Sequence, residues 1–243
     1  MMKVEQQQAY VIHTKPFRDT SLLVECFTRE YGRISLVAKG ARKPKNHQRS
    51  LLQPFQLLSI NWQGRGGLKT MTGAESIGTS HFLKSDHLYG GLYINELFLH
   101  LLAIEDVAEY LFDQYHCLLN DLSRQVALEP VLRQFEFIFL QELGYGIDFN
   151  VDAHTGESIS SDKNYLYYPA QGFIKTDLVS GDHGIQFSGE ILNKIVRNES
   201  SNTDVLKASK QLTRATIDFL LEGKPLKSRE FFRQLIAQKN DRA

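Results

Sequence analysis

Within Lys39-Gly40-Ala41-Arg42-Lys43-Pro44-Lys45, and then His47 and Arg49, the chain gathers cations but no carboxylate. Gly40 and Pro44 interrupt any regular helix, so these charges are expected on a loop. A cluster of this kind supplies neither nucleophile nor base; it neutralises an anion, and nucleic acid is the commonest polyanion. On the segment before it, the two-residue period of a strand puts Arg33, Ser35, Val37 and Lys39 on one face. Ile34, Leu36 and Ala38 fall on the other, so the cations look away from a core. Lys15 and Arg18 flank an earlier turn, while Arg65 and Lys69 flank Gly64–Gly67. Phe17, Tyr31 and Trp62 lie close to these cations and can stack on bases, although any single one is more often core than platform and Trp62 reads equally as either. The expected nucleic-acid contacts are Lys15, Arg18, Arg33, Lys39, Arg42, Lys43, Lys45, Arg49, Arg65 and Lys69.

Other chemistry is harder to assemble. Glu105, Asp106, Glu109 and Asp113 can share one helix face, yet no histidine joins them at metal-pairing spacing, and such runs are usually solvated. Gly64-Arg65-Gly66-Gly67 lacks the Gly-Lys-Ser/Thr that would complete a phosphate loop. No nucleophile, base and orienting group come together, so catalysis is not expected. Cys26 and Cys117 are the only cysteines, too few for a disulfide framework or a structural zinc site. The expected metal and cofactor content is none.

The elements that must carry the cations change character near residue 80. Ala9–His13, Ser21–Thr28, Arg33–Lys39, Gln53–Trp62 and Leu68–Ile77 read as five strands, with Glu30-Tyr31-Gly32 and the Gly64–Gly67 segment as turns. Five short strands in eighty residues fit a small OB-type barrel, whose nucleic-acid groove lies on strands two and three between the first and last turns. After residue 85 the apolar spacing becomes helical: Leu88, Leu92, Leu97 and Leu101, then Leu111, Tyr115, Leu118 and Leu122. A third helix is expected to start at Glu129-Pro130 and stop at Leu143-Gly144. Gly146–Gly184 loses the period, with short strands predicted at Tyr165–Tyr168 and Gly172–Thr176. Helices resume with Ser188 capping one, Asp204 capping another that ends at Glu222-Gly223, and a last one over Ser228–Gln238. The predicted class is α+β: a barrel domain over 1–80, then a mainly helical domain over 81–243 with an insertion at about 146–184.

Charge supports two parts. The net charge is zero, but residues 1–80 hold 12 Lys+Arg against 5 Asp+Glu, and the remainder holds 16 against 23. A basic first domain and an acidic second one point to different partners. No apolar run is long enough to span a bilayer and Met1–Tyr10 lacks the apolar stretch of a signal peptide, so a cytoplasmic location is expected. On composition alone, a generic OB-fold RNA binder or scaffold fits as well as a DNA-binding protein.

Eight short segments decide between them. Phe17-Arg18-Asp19-Thr20-Ser21-Leu22-Leu23, Phe27-Thr28-Arg29-Glu30-Tyr31-Gly32-Arg33 and Leu36-Val37-Ala38-Lys39-Gly40-Ala41-Arg42 open the series. Leu52-Gln53-Pro54-Phe55, Tyr93-Ile94-Asn95-Glu96-Leu97, Leu132-Arg133-Gln134-Phe135-Glu136, Leu143-Gly144-Tyr145-Gly146 and Lys227-Ser228-Arg229-Glu230 follow in order. Together they resemble the RecO family across nearly the whole chain. The resemblance implies an OB-fold, a helical C-terminal domain, no catalytic residues, and binding to single- and double-stranded DNA with annealing of complementary strands. It also implies work with RecR in loading RecA, and binding to the C-terminal tail of single-stranded-DNA-binding protein (SSB). That tail is acidic and ends in an aromatic residue with a free carboxylate, so its capture needs a cation beside an apolar pocket. By the resemblance Arg133 is the cation, with Phe135, Phe139 and Tyr93 expected at the pocket wall. Many members carry a four-cysteine zinc motif after the Leu-Gly-Tyr-Gly segment. Here Asp148–Asp162 has no cysteine and His154 alone cannot hold zinc, so packing is expected to hold the insertion.

Overall fold

Alternating apolar residues close five strands on themselves. The computed structural model describes residues 2–44, 46, 48–78, 81–176 and 184–240, with side chains through 234. Strands β1 (Lys3–Phe17), β2 (Ser21–Thr28), β3 (Gly32–Ala38), β4 (Leu57–Gln63) and β5 (Leu68–Ser76) form a closed barrel in the order β1-β2-β3-β5-β4. All neighbours are antiparallel except β3 and β5, which pair in parallel from Ser35↔Leu68 to Val37↔Thr70. One residue in two faces inward, and Val24, Cys26, Ile34, Leu36, Leu58, Ile60 and Trp62 fill the barrel. A single helical turn, α1 (Gln48–Leu51), lies between β3 and β4.

Five strands are where they were expected, but the first is far longer than Ala9–His13. Lys3–Gln8 alternates poorly because the ladder is irregular there: Gln6 has φ +56° and the register with β4 shifts between Val4 and Gln7. Such a bulge lets a long strand bend around a small barrel.

Helices α2 (Ser85–Leu101) and α3 (Glu109–Ser123) do not leave the barrel. Phe98, Phe112 and Tyr115 pack on Tyr10 of β1 and Phe27 of β2, with ring centroids 5.0–6.5 Å apart. All five rings are buried. Burial of aromatic surface on this scale joins strands and helices into one body. The chain therefore forms two compact units, Met1–Leu128 with Leu226–Ala243, and Glu129–Pro225. These compact units are drawn differently from the division expected at residue 80, and the last helix, α7 (Lys227–Asn240), lies with the first unit.

The second unit holds α4 (Leu128–Glu142), a three-stranded sheet in the order β7-β6-β8, and helices α5 (Gly189–Val196) and α6 (Thr203–Leu220). β6 (Asn164–Tyr168) and β7 (Gly172–Thr176) match expectation; β8 (Ile185–Ser188) was not foreseen. Tyr165, Tyr167, Phe173 and Phe187 of the sheet pack with Leu192 of α5 and Ala208 and Leu212 of α6. Ser188 caps α5 as expected, its Oγ accepting from the Ile191 N–H at 3.3 Å. The cap of α6 is Asn202 rather than Asp204: its Oδ1 accepts from the N–H groups of Asp204 and Val205.

Candidate nucleic-acid interface

The β1–β2 turn and the loop after β3 are tied together by their own backbones. Arg18 takes φ +49° and Gly40 φ +71°, which reverses the chain sharply at both places. The Arg42 N–H donates to the Thr20 carbonyl at 2.9 Å, and Arg42 Nη1 donates to the Arg18 carbonyl at 3.3 Å. Lys43 N–H donates to Gly40 O at 3.0 Å, and Asn46 Nδ2 donates to the same carbonyl at 2.9 Å. Ala41 is buried in the barrel core and anchors the loop from within.

Between these two segments lies an open cleft of about 350 Å³, lined by Arg18, Thr20, Ser21, Val37, Lys39, Gly40 and Lys43. Lys15, Arg18, Lys39, Arg42, Lys43 and Arg49 are all exposed, as is Arg65 in the β4–β5 turn. Among the described residues none of these seven is in a salt bridge. Arg18 lies over the ring of Phe17 at 5.3 Å, which holds that guanidinium at the rim. The cleft thus combines unneutralised positive charge, backbone polar groups and one half-buried aromatic ring. Thr20 and Ser21 were not among the expected contacts, though they sit beside residues that were, and Gly40 was read only as a helix breaker.

Other expected contacts are placed elsewhere. Arg33 has a side chain only 15% exposed, 3.8 Å from Glu25, and Nη1 donates to the Leu99 carbonyl at the end of α2. Lys69 is withdrawn further, at 6%: its Nζ is paired with Glu105 and donates to the Gly66 carbonyl at 3.0 Å. The loop carrying Glu105 closes against β3, where the Glu105 N–H donates to Arg33 O at 2.8 Å. Arg33 and Lys69 thus hold the α2–α3 loop on the barrel, unlike the exposed cations beside the cleft. Lys45 and His47 lie outside the described residues. Trp62 is fully buried and Tyr31 packs edge-on against it at 5.2 Å, so neither is a platform for bases.

The residues expected at the SSB tail are divided between the two compact units. Arg133, Phe135 and Phe139 belong to the second unit and Tyr93 to the first. Phe135 and Phe139 are buried in α4 with their rings stacked at 6.5 Å. Arg133, 12% exposed, meets the fully buried Glu136 at 2.5 Å and donates to Thr213 Oγ1 at 3.2 Å; Thr213 Oγ1 also donates to Glu136. Arg133 Nε is buried with no hydrogen-bond partner among the described residues. An anion reaching Arg133 would compete with Glu136.

In the insertion, Asp152 holds the chain. Its buried carboxylate accepts from the N–H groups of His154, Thr155 and Lys175 at 2.7–2.9 Å, joining the loop to β7. Burial pushes its pKa up, but the backbone donors outweigh that and keep it below the usual value. No group of three or more His, Cys, Asp or Glu suited to a metal occurs among the described residues. None of their helices is long and apolar enough to cross a membrane.

Comparison with known proteins covers almost the whole chain. The family described as Recombination protein O N terminal matches residues 2–80, and that described as Recombination protein O C terminal matches residues 84–230. The DNA repair protein RecO of Cellvibrio japonicus is 44% identical over 231 residues, covering 95% of this chain and 98% of the relative. The protein of the same description from Klebsiella pneumoniae is 39% identical over 238 residues, 98% of this chain and 96% of the relative. That from Escherichia coli O139:H28 is 39% identical over 234 residues, 96% of each. With both domain families matched in order over nearly the whole chain, and relatives of this description matched end to end, the chain belongs to the RecO family.

Proposed function

We propose that this protein is a recombination mediator in DNA repair. It binds single- and double-stranded DNA on the barrel, anneals complementary strands, and docks on the SSB tail. With RecR it promotes the loading of RecA. No step in this reading breaks or makes a covalent bond, so the protein is not an enzyme. The observation that carries the reading is the cleft at the β1–β2 turn, which Arg18, Lys39 and Lys43 line with Arg42 in the same loop, none of them in a salt bridge among the described residues, on a chain of this family. Cations without carboxylate partners bind phosphates and release counterions; stacking then holds bases without reading their order. Screening of phosphate repulsion between two bound strands favours their annealing.

Fluorescence anisotropy with a labelled mixed-sequence single strand and a labelled SSB-tail peptide tests this. With about four to six phosphates engaged, log affinity should fall against log salt at a slope of about −3 to −4. A flat salt response would overturn the electrostatic account. For the tail, the supporting features are the family membership and Arg133, whose Nε lacks a partner. Peptide binding that survives deletion of the terminal aromatic would remove that part of the reading.

A further inference from the structure

The last helix, α7, belongs to the same compact unit as the barrel although about a hundred residues of the second unit separate them in sequence. Two contacts fix it there. The Glu96 carboxylate of α2 accepts from the Lys227 N–H at 2.9 Å, the Ser228 N–H at 2.9 Å and the Ser228 Oγ at 2.5 Å. This satisfies the open first turn of the helix. The Arg229 guanidinium lies over the Tyr93 ring at 5.6 Å. With Ser228 and Arg229 turned toward α2, helical spacing turns Lys227 and Phe231 outward one turn apart. Both are exposed, Phe231 at 59%.

We propose that α7 extends the barrel's single-stranded DNA track, with Lys227 taking a phosphate and Phe231 stacking on a base. The proposal rests on the barrel reading given above. A Phe beside a Lys on a fixed helix face is the pair that sequence-independent binding of a single strand requires, a flat apolar ring for the base and a cation for the backbone. The charge of this segment favours an anionic occupant: residues 226–243 hold 5 Lys+Arg and 2 Asp+Glu. α7 packs on α2, and α2 packs on β1, the strand whose end carries Lys15 and Arg18.

The test is anisotropy of the full chain with oligothymidylates of about 8 and about 30 nucleotides, the shorter being enough for one OB barrel. Phe231→Ala should weaken the longer probe about five- to tenfold and leave the shorter one unchanged, while Phe231→Tyr, which keeps the ring, restores affinity. Lys227→Gln should make the salt slope for the longer probe shallower by about 0.7, the share of one phosphate on a single strand. Variants that bind both lengths as the parent does would overturn the proposal and leave the barrel reading standing. Equal losses at both lengths would also overturn it, since that marks damage to the barrel. A loss confined to the SSB-tail peptide would assign the face to an acidic peptide instead. A parent protein that binds neither oligonucleotide would remove the barrel reading itself.

Discussion

The two compact units use positive charge in opposite ways. In the second unit six of the nine Lys and Arg residues sit in ion pairs: Arg133, Lys163, Lys194, Lys207, Lys210 and Arg214. On the barrel seven exposed cations, three of them lining the cleft, have no such partner among the described residues. The first unit carries 19 Lys+Arg against 14 Asp+Glu and the second 9 against 14. A paired charge is already solvated by its partner and gains little from a passing phosphate. An unpaired one releases counterions when a phosphate arrives. Pairing, more than net charge, separates the cations that hold the fold from those left for a ligand. Arg33 and Lys69 show that the same division runs inside the first unit.

The sharpest way to break this comparison is at Arg133. Removing it leaves the Glu136 carboxylate buried without its cation, so Arg133→Ala should destabilise the protein by about 3–5 kcal/mol. Replacing Arg133 and Glu136 together by Met and Leu should recover most of that loss, because an apolar pair of similar volume has no desolvation cost. Denaturant unfolding measures both. An Arg133→Ala protein of full stability would show that the ion pair is not structural and free Arg133 for the tail. If tail binding falls in the doubly apolar variant, whose fold is intact, Arg133 contacts the peptide directly.

The opposite result is expected at the cleft. Arg42→Glu with Lys43→Glu should lower affinity for single-stranded DNA by about tenfold or more at moderate salt, with stability changed by no more than about 0.5 kcal/mol. SSB-tail affinity should not move. Equal losses in the DNA and tail assays would erase the distinction between the two units.

How far the sequence reveals these roles depends on range. Strands β2 to β5 are legible because their alternation and the turns at Glu30-Tyr31-Gly32 and Gly64–Gly67 are local signals. The end of α4 at Leu143-Gly144 and the Ser188 cap are legible for the same reason. The cleft cations are legible because Gly40 and Pro44 keep them on a loop. What stays hidden is tertiary. Tyr10 and Phe27 look like ordinary strand aromatics, and nothing near them tells that α2 and α3 cover them. Lys69 sits in sequence beside a Gly-rich turn like any solvated cation; only the return of Glu105, 36 residues later, buries it. Phe135 and Phe139 have the spacing of a pocket wall and equally of a core, and the core took them. Tyr93 and Arg133, both expected at the tail site, fall in separate units.

Asp152 tests whether pairing with backbone can replace pairing with a cation. Asp152→Ala strands three backbone N–H groups and should cost about 1–3 kcal/mol. Because its folded pKa is lowered, the carboxylate's contribution is complete above the unfolded value of about 3.9 and is lost as pH falls through the folded one. Acid unfolding should begin at higher pH in the second unit when Asp152 is intact than when it is replaced by an apolar residue in a background stabilised to match. Identical acid transitions would mean that other groups control the insertion.

The smallest effect is expected at Lys210, which is half exposed and donates to Glu129 at 2.7 Å. The hydrogen bond from Lys210 lowers the Glu129 pKa, against the opposing effect of partial burial. The pair's stabilisation is therefore present above about pH 4.5 and fades as pH falls through the depressed value. Lys210→Ala should return the Glu129 titration, followed by NMR, toward its ordinary position. Tm should fall by about 1 °C or less, since exposed pairs are screened by water and salt. DNA affinity should stay as it is, because the cation removed was already answered by a carboxylate. A clear loss of DNA binding here would show that pairing does not remove a cation from the nucleic-acid surface, and the division drawn from Arg42 and Arg133 would fail at its weakest member.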